Sequence, residues 1–265
     1  CPRQYHHAMA TNKKSLRQQR ILSELEHEPS LRIADLSGRL NVSSETIRRD
    51  FDDLTEQGLI NRTYGGAVRR QSSEPGLNER HKLHVAEREI IAKQLVPILA
   101  GARHIMIGSG ATTIHVAKRL AITMNDLTVI THSFGVATVL AINPTIRVIM
   151  APGLYHAQEG AMHGAQTIRF LENYRVEWAI LGASGLDDDG ASDALIEAAD
   201  VYSVMMERAT RSMIVADHTK FNQAFPARYC DWNAVDVLVC DENPMGRLGE
   251  TIRGAGCTIK AASKP

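Results

Sequence analysis

Residues 41–51, with the sequence NVSSETIRRDF, constrain the fold more than any other part of the chain. Ser43 stands where a helix N-cap is expected, because its hydroxyl can accept a hydrogen bond from a free backbone N–H of the first turn. Ile47, Phe51 and Leu54 follow at i, i+4 and i+7, so they share one apolar face. The other side carries charged residues with a threonine at its flank: Glu45, Arg48, Arg49, Asp52 and Thr46. The pattern predicts a short helix that is buried on one face and basic on the other.

A helix of this kind fits the major groove of DNA. Arginines near its N-terminal end can bond guanine N7 and O6 bidentately or bind phosphate. The alternative is an ordinary amphipathic surface helix whose charged face is only solvated.

The flanking sequence favours the DNA-binding interpretation. Ile21, Leu22 and Leu25 have helical spacing, and 33–40 supplies a second short helix, separated from the basic helix by the turn 41–43. This arrangement is typical of a helix-turn-helix. Residues 59–70 predict a two-stranded wing that turns at two glycines and carries basic side chains. The residues expected at DNA are Ser43, Ser44, Thr46, Arg48, Arg49, Arg62, Tyr64 and Gly65.

The pattern SxxTIRRDF from Ser43 to Phe51, followed by RTYGGA from Arg62 to Ala67, closely resembles the DeoR/GlpR family of bacterial transcription regulators. The resemblance covers roughly residues 14–70 and implies a helix-turn-helix at about 31–50. It also implies that the protein is a repressor. Because symmetric operator half-sites require a symmetric protein, we expect a homodimer or homotetramer on double-stranded operator DNA.

Length and composition agree with a protein of two parts. The 265 residues allow a small and a medium domain, and 30 basic residues balance 30 acidic ones. Residues 1–70 hold 12 Lys/Arg against 9 Asp/Glu, a weak basic excess that permits DNA binding without requiring it. The predicted domains are a winged helix at 14–70, a polar linker at 71–80 and a sensor at 81–265.

Several features point to a cytoplasmic protein. The four cysteines show no C-x-x-C spacing and suggest no disulfide framework, which fits a reducing compartment. No apolar run approaches the roughly 18 residues needed to span a bilayer, and no signal peptide is visible. We therefore expect a cytoplasmic protein with no membrane partner.

Apolar strand-like runs alternate with helical segments after a helix at about 85–100. The runs are 104–108, 127–130, 147–150, 178–182, 212–216 and 235–240. Buried strands without polar alternation predict a mostly parallel sheet covered by helices, hence an α/β fold. Ligands of such sheets collect at the carboxyl ends of the strands.

Small, hydroxyl-rich loops follow three of these strands, at 108–113 (GSGATT), 131–133 (THS) and 182–185 (GASG). A glycine-rich turn that opens a helix can surround an anion with backbone N–H groups. Tight βα geometry explains any one loop equally well, but three together predict a phosphate or polyol site. Neither a P-loop nor a dinucleotide fingerprint is present, so no cofactor is expected.

The same region resembles the family's carboxy-terminal sensor domain, which is similar to ribose-5-phosphate isomerase and related enzymes. The landmarks are 108–113, 131–133, 181–186, 197–198 and 216–221. The family more often has an acidic residue at position 108 and asparagine at position 132. The resemblance implies a sugar-phosphate effector. Its expected contacts are Ser109, Gly110, Ala111, Thr112, Thr113, Thr131, His132, Ser133, Gly182, Ser184, Gly185, Glu197 and Lys220.

Alternatives remain for several of these residues. Lys220 is the expected phosphate or carboxylate partner, or else a surface lysine, and Glu197 accepts sugar hydroxyls or is a helix-face charge. A sugar-phosphate isomerase fused to a DNA-binding module is the alternative function, with Glu197, Asp217 and Lys220 as acid–base candidates. However, residues 182–187 (GASGLD) lack the Asp-Gly-Ala-Asp-Glu motif of ribose-5-phosphate isomerases, so a non-enzymatic regulator is favoured. No metal site is expected from the His81/His84 pair or from the acidic turn at 187–189.

Overall fold

A computed structural model describes residues 14, 16–18, 20–22, 24, 30–56, 60–63, 66–69 and 75–262. The chain divides into two compact units, Cys1–Ser73 and Glu74–Pro265. Among the described residues, no helix is long and apolar enough to cross a lipid bilayer.

The first unit combines helices with a small antiparallel sheet. The described residues between 14 and 24 are helical. The elements that follow are β1 (Ser30–Arg32), α1 (Ile33–Leu40), α2 (Ser44–Glu56), β2 (Ile60–Thr63) and β3 (Gly66–Arg69). The strand order is β1-β3-β2, so the two-stranded wing gains a third strand that the sequence did not predict. Gly66 permits this pairing, because a Cβ there would lie 2.2 Å from the Leu31 carbonyl oxygen.

The core of this unit confirms the predicted apolar face of the basic helix. Ile47, Phe51 and Leu54 are at most 1% exposed and pack with Leu36 and Ile60. The turn between α1 and α2 begins at Asn41, whose φ of 50° and ψ of 49° lie in the left-handed region that asparagine tolerates. Burial of one face therefore leaves the other face of α2 exposed.

The second unit is built on a seven-stranded sheet in which every neighbouring pair is parallel. Its strands are β4 (His104–Ile107), β5 (Thr128–Thr131), β6 (Arg147–Met150), β9 (Val176–Gly182), β12 (Ala209–Val215), β14 (Val237–Cys240) and β15 (Thr258–Ala261). The described helices are α3 (Leu77–Arg80), α4 (Val85–Leu95), α5 (Ala111–Thr123), α6 (Phe134–Leu140), α7 (Ala165–Leu171), α8 (Ile196–Glu207) and α9 (Gly246–Gly254). Single 3-10 turns lie at Val96–Leu99, His218–Lys220 and Trp232–Ala234.

Two small antiparallel sheets accompany the large sheet. One is a hairpin of β7 (Leu154–His156) and β8 (Ala161–His163). The other joins β10 (Gly185–Asp187), β11 (Gly190–Asp193) and β13 (Ala227–Cys230). The sequence predicted the six strands of the parallel sheet that are apolar runs. It missed β15 and both small sheets, whose strands are short or partly exposed.

The α/β fold follows from strands that are apolar on both faces. Within β4, Ile105 and Ile107 belong to one apolar cluster and Met106 to the other, because successive side chains alternate between the faces of a sheet. Helices bury both clusters, as expected for a parallel sheet.

The strand order places a topological switch point between two central strands. The order is β15-β14-β12-β9-β4-β5-β6, so the chain proceeds from β4 to one edge and then returns to β9 on the other side. The loops after β4 and β9 therefore diverge, which leaves a crevice at the carboxyl ends of these strands.

The segment predicted as a linker overlaps this second unit. Residues 77–80 form α3, and Leu77 is 7% exposed within an apolar cluster of the unit. Composition alone predicts a polar linker over all of 71–80, because it does not reveal that Leu77 anchors the second half.

Candidate DNA-binding face and effector cavity

The start of α2 has the predicted cap. The Thr46 backbone N–H donates to Ser43 Oγ at 3.2 Å, and the Ser43 and Thr46 hydroxyl oxygens lie 2.9 Å apart. This hydrogen bond satisfies one of the free N–H groups at the helix start, which confirms Ser43 as the N-cap. Ser44, the first residue of α2, is exposed.

Arg48 and Arg49 present their guanidinium groups to solvent. Their side chains are 57% and 78% exposed, and each lies near Glu45, at 3.7 Å and 3.5 Å. Exposed pairs of this kind contribute little free energy. Both arginines can therefore exchange Glu45 for a base edge or a phosphate group.

The remaining DNA-contact candidates lie on the predicted wing. Arg62 on β2 is exposed and forms an ion pair with Asp52 on α2. The guanidinium predicted to bind phosphate is thus held beside the basic helix. Tyr64 and Gly65 lie outside the described residues.

Sequence analysis missed a structural carboxylate within the basic helix. Asp50 is 1% exposed and receives hydrogen bonds from the Arg17 guanidinium, one of them at 2.9 Å between Nη2 and Oδ1. Hydrogen bonding to Asp50 raises the pKa of Arg17. The signal was present, because Asp50 lies three residues after Ile47, on the buried face of the helix.

A polar cavity lies at the switch point of the second unit. It is partly open to solvent, and the loops after β4 and β9 both line it. The residues that line it are Arg80, Arg88, Ser109, Gly110, Ala111, Thr112, Glu159, Gly182, Ala183, Asp193, Ala198, Tyr202 and Lys220. We refer to this space as the effector cavity, after the ligand that the sequence leads us to expect there.

The loop after β4 brings a helix N-terminus to the effector cavity. Gly110, with φ of 129°, lies in the region that favours glycine and directly precedes the 13-residue helix α5. The Tyr202 hydroxyl donates to the Ser109 carbonyl oxygen at 2.9 Å and also lies 2.9 Å from Ser109 Oγ. The free N–H groups at the start of a long helix attract anions.

Three cationic side chains also line the effector cavity. Arg88 is only 3% exposed; it donates to Thr112 Oγ1 at 3.3 Å and to the Arg80 carbonyl oxygen at 2.5 Å, and lies 3.9 Å from the Asp217 carboxylate. Arg80 forms an ion pair with Glu159. Lys220, half-buried, comes from the 3-10 turn that follows β12. Sequence analysis identified only Lys220, since the two arginines lie outside the landmarks of the family resemblance.

The loop after β5 does not line the effector cavity. Thr131, His132 and Ser133 are fully buried. Thr131 Oγ1 donates to the Ile107 carbonyl oxygen at 2.7 Å, and Ser133 Oγ accepts from the Val136 N–H at 3.4 Å. Their side chains are bonded to the scaffold and lie outside the lining of the cavity, so their predicted ligand contacts stay a prediction.

His132 holds the loop after β4 from the side that faces away from the effector cavity. The Ser109 N–H donates to His132 Nε2 at 3.1 Å, so His132 Nδ1 carries the proton and donates to the Met162 carbonyl oxygen at 2.8 Å. Burial, with a smaller effect of His163, lowers the pKa of His132 to about 3, and the bond to Met162 opposes this shift. His132 is therefore a neutral link between the loop after β4 and strand β8.

Other predicted contacts also lie outside the lining of the effector cavity. Thr113 Oγ1 donates to the Gly110 carbonyl oxygen at 2.9 Å within its own loop. Ser184 and Gly185 are buried, and a Cβ on Gly185 would lie 2.2 Å from the Gln223 carbonyl oxygen. Glu197 is exposed on α8. Of the predicted set, Ser109, Gly110, Ala111, Thr112, Gly182 and Lys220 line the cavity.

Within the described part of the chain, no group of three or more histidine, cysteine, aspartate or glutamate residues is placed to hold a metal ion.

An exposed helix face with two arginines in one unit and a cavity at the switch point of the other are typical of one class of protein, the DNA-binding transcriptional regulators. Similarity to known protein domains specifies the family. A DeoR-like helix-turn-helix domain matches residues 17–73, and the DeoR C-terminal sensor domain matches residues 83–242. The chain therefore belongs to the DeoR family.

Relatives extend over nearly the whole chain. A putative aga operon transcriptional repressor of Escherichia coli O157:H7 is 29% identical, covering 92% of this chain and 93% of the relative. The glycerol-3-phosphate regulon repressor of Escherichia coli K12 is 30% identical, covering 88% and 92%. Ribose 5 phosphate isomerase A from Neisseria gonorrhoeae aligns over 51% of this chain and 52% of its own, at 15% identity and a TM-score of 0.38.

Proposed function

We propose that the protein represses a carbohydrate catabolism operon and is released from its operator by a phosphorylated sugar or polyol. The effector cavity carries this proposal, because it combines a helix N-terminus with three cationic side chains, Arg80, Arg88 and Lys220. Such a set suits a phosphate group. The hydroxyl groups of Ser109 and Thr112 and the Asp193 carboxylate suit a polyol.

The proposed DNA contacts are on α2 and the wing. Arg48 and Arg49 are the side chains proposed to read bases or bind phosphate, with Ser44 and Thr46 beside them and Arg62 following. The protein acts in this proposal as a cytoplasmic homodimer or homotetramer, because paired half-sites match a symmetric protein. The names of the two relatives, which refer to the aga operon and to glycerol 3-phosphate, agree with a carbohydrate-linked role.

An effector acts on DNA binding only through different affinities for two states. Shifting the population from 1:99 to 99:1 requires about 5.5 kcal/mol of differential binding. Several charge-assisted hydrogen bonds, each contributing about 1.5–3 kcal/mol, supply free energy of this size.

The proposal is tested with a panel of phosphorylated sugars and polyols. Compounds that raise the melting temperature are added to the protein bound to a DNA duplex selected from a random library. We expect at least one compound to release the duplex, and Lys220→Ala to need more of it while its affinity for DNA is unchanged. Lys260→Ala, at an exposed position on β15, is the matched control. No preference for any duplex over random DNA, with and without the compounds, would refute the proposal.

We further propose that the protein is not a sugar-phosphate isomerase. The candidate bases do not converge on the effector cavity: Glu197 is exposed on α8, and Asp217 is buried, with Oδ1 accepting from the Thr219 N–H at 3.2 Å. Isomerase turnover of pentose or hexose phosphates by the purified protein would contradict this proposal.

A further inference from the structure

The Arg80–Glu159 ion pair at the effector cavity is more exposed than the Arg88–Asp217 ion pair. The Arg80 and Glu159 side chains are 12% and 21% exposed, whereas Arg88 and Asp217 are 3% and 0% exposed. Arg88 is also held by hydrogen bonds to Thr112 and to the Arg80 carbonyl oxygen. An entering anion therefore displaces the carboxylate bound to Arg80 more easily than the one beside Arg88.

We propose that Glu159 is a built-in competitor, which occupies Arg80 until the phosphate group of the effector replaces it. This inference rests on the proposed function. A phosphate monoester carries a charge of about −1.5 to −2 and three acceptor oxygens, whereas the Glu159 carboxylate carries a single charge. The exchange is thus favourable for a phosphorylated ligand, and it brings no gain in charge for a carboxylated one. Arg80 and Glu159 select phosphorylated effectors in this way.

The same ion pair helps to clamp α3, the first helix that the structure describes in the sensor unit. The Leu77 N–H donates to the Gln158 carbonyl oxygen at 3.1 Å, and a Cβ on Gly160 would lie 3.4 Å from Leu77 Cδ2. The turn between β7 and β8 therefore holds α3 through a backbone hydrogen bond, through packing, and through the Arg80–Glu159 ion pair. Removal of the ion pair weakens this clamp.

The position of α3 in the chain gives the clamp a regulatory meaning. It is the first helix that the structure describes after β3, the last strand of the DNA-binding unit. Exchange of partners at Arg80 thus loosens α3, which follows the DNA-binding unit in the chain.

The test compares the wild type with Glu159→Gln in the full chain, by calorimetric titration with inorganic phosphate and with any phosphorylated sugar that binds. We expect Glu159→Gln to bind phosphate about fivefold more tightly or better, since even an exposed ion pair can contribute this factor. Glu172→Gln, an exposed position at the end of α7, is the matched control and should bind as the wild type does.

A second background identifies the group for which Glu159 competes. Arg80→Ala should weaken phosphate binding, and adding Glu159→Gln to it should bring no gain. A gain that persists without Arg80 would mean general repulsion by Glu159 and would overturn the inference. Should Arg80→Ala fail to fold, Arg80→Lys replaces it, and a smaller gain than in the wild-type background is expected.

Hydrogen exchange at the Leu77 amide reports the clamp directly. Phosphate should speed this exchange in the wild type, and Glu159→Gln should speed it without phosphate; unchanged exchange in both cases overturns the inference. A wild type that is released from DNA by a phosphorylated sugar, with Glu159→Gln unchanged in every respect, refutes this inference alone. A wild type that binds no phosphate-bearing compound refutes the proposed function and this inference with it.

Discussion

The Asp50 carboxylate on α2 is buried against the Arg17 guanidinium, 33 residues earlier in the chain. Arg17 donates to both carboxylate oxygens, through Nε to Oδ2 and through Nη2 to Oδ1. This pair fixes the basic helix to the helical residues before it. The preceding side chains, Arg48 and Arg49, remain exposed. Adjacent residues of one short motif thus separate a stabilising role from the DNA contact proposed for the two arginines.

Asp50→Ala should destabilise the DNA-binding unit by about 1.5–3 kcal/mol, the range for hydrogen bonds to charged groups. The variant leaves Arg17 without the carboxylate that raises its pKa. Faster hydrogen exchange of the α2 amides is the measurement. Asp52→Ala is the control, because Asp52 is exposed and its pair with Arg62 should contribute less than about 1 kcal/mol. Equal effects of the two substitutions would contradict a structural role for Asp50.

Arg48→Ala or Arg49→Ala should weaken binding to the selected duplex by about 1–3 kcal/mol if the arginine reads a base. If the arginine binds phosphate instead, affinity should fall on all sequences and the dependence on salt should lessen by about one unit. Arg147→Ala removes an exposed arginine from the sensor and serves as the control. If both variants bind the duplex as the wild type does over a salt titration, neither arginine contacts DNA.

Gly108→Ala should destabilise the sensor by about 1–3 kcal/mol through overpacking. A Cβ at this position would lie 2.8 Å from Tyr202 Cε1 and 3.1 Å from Leu181 Cδ2. The glycine, where the family more often has an acidic residue, is thus explained by the tyrosine ring beside it. Urea unfolding is the measurement, and Gly254→Ala, which meets nothing within 4 Å, is the control.

A double variant separates this contact from other effects of the substitution. Gly108→Ala combined with Tyr202→Leu should cost less than the sum of the two single changes, by about 0.5–3 kcal/mol. Strict additivity would show that the tyrosine ring is not the obstacle.

Acid should destabilise the sensor through buried histidines. Burial is the main cause that lowers the pKa of His132 to about 3, and of His115 and His163 to about 4. Because the unfolded chain has a histidine pKa of about 6.5, it binds more protons than the folded state below that pH. The free energy of unfolding should therefore fall as pH drops from about 6.5 towards 4.

His132→Asn isolates one of these contributions. The slope of unfolding free energy against pH should flatten by up to about 1.4 kcal/mol per pH unit between pH 6.5 and 4. Asparagine is the residue that the family more often carries at this position. Urea unfolding at several pH values gives the slope for the wild type and for His132→Asn. An unchanged slope in His132→Asn would mean that His132 binds as many protons in the folded state as in the unfolded state.

Local sequence patterns were sufficient to predict much of the fold. The spacing of Ile47, Phe51 and Leu54 sufficed to predict the buried face of α2, and six apolar runs sufficed for six of the seven parallel strands. The seventh, β15, alternates between exposed and half-buried positions at the sheet edge, so it lacks the apolar run that identifies a central strand. Domain boundaries at 14–70 and 81–265 stay predictions.

The sequence by itself determined the capped basic helix, the alternation of strands and helices, and the glycine-rich loops after β4 and β9, because these depend on residues near one another in the chain. Only the tertiary structure decided which loops share the effector cavity. The order β9-β4-β5 brings 109–112 together with 182–183 and leaves the loop after β5 bonded behind them. Only folding pairs Arg80 with Glu159, 79 residues later, since no local periodicity records which distant charges meet.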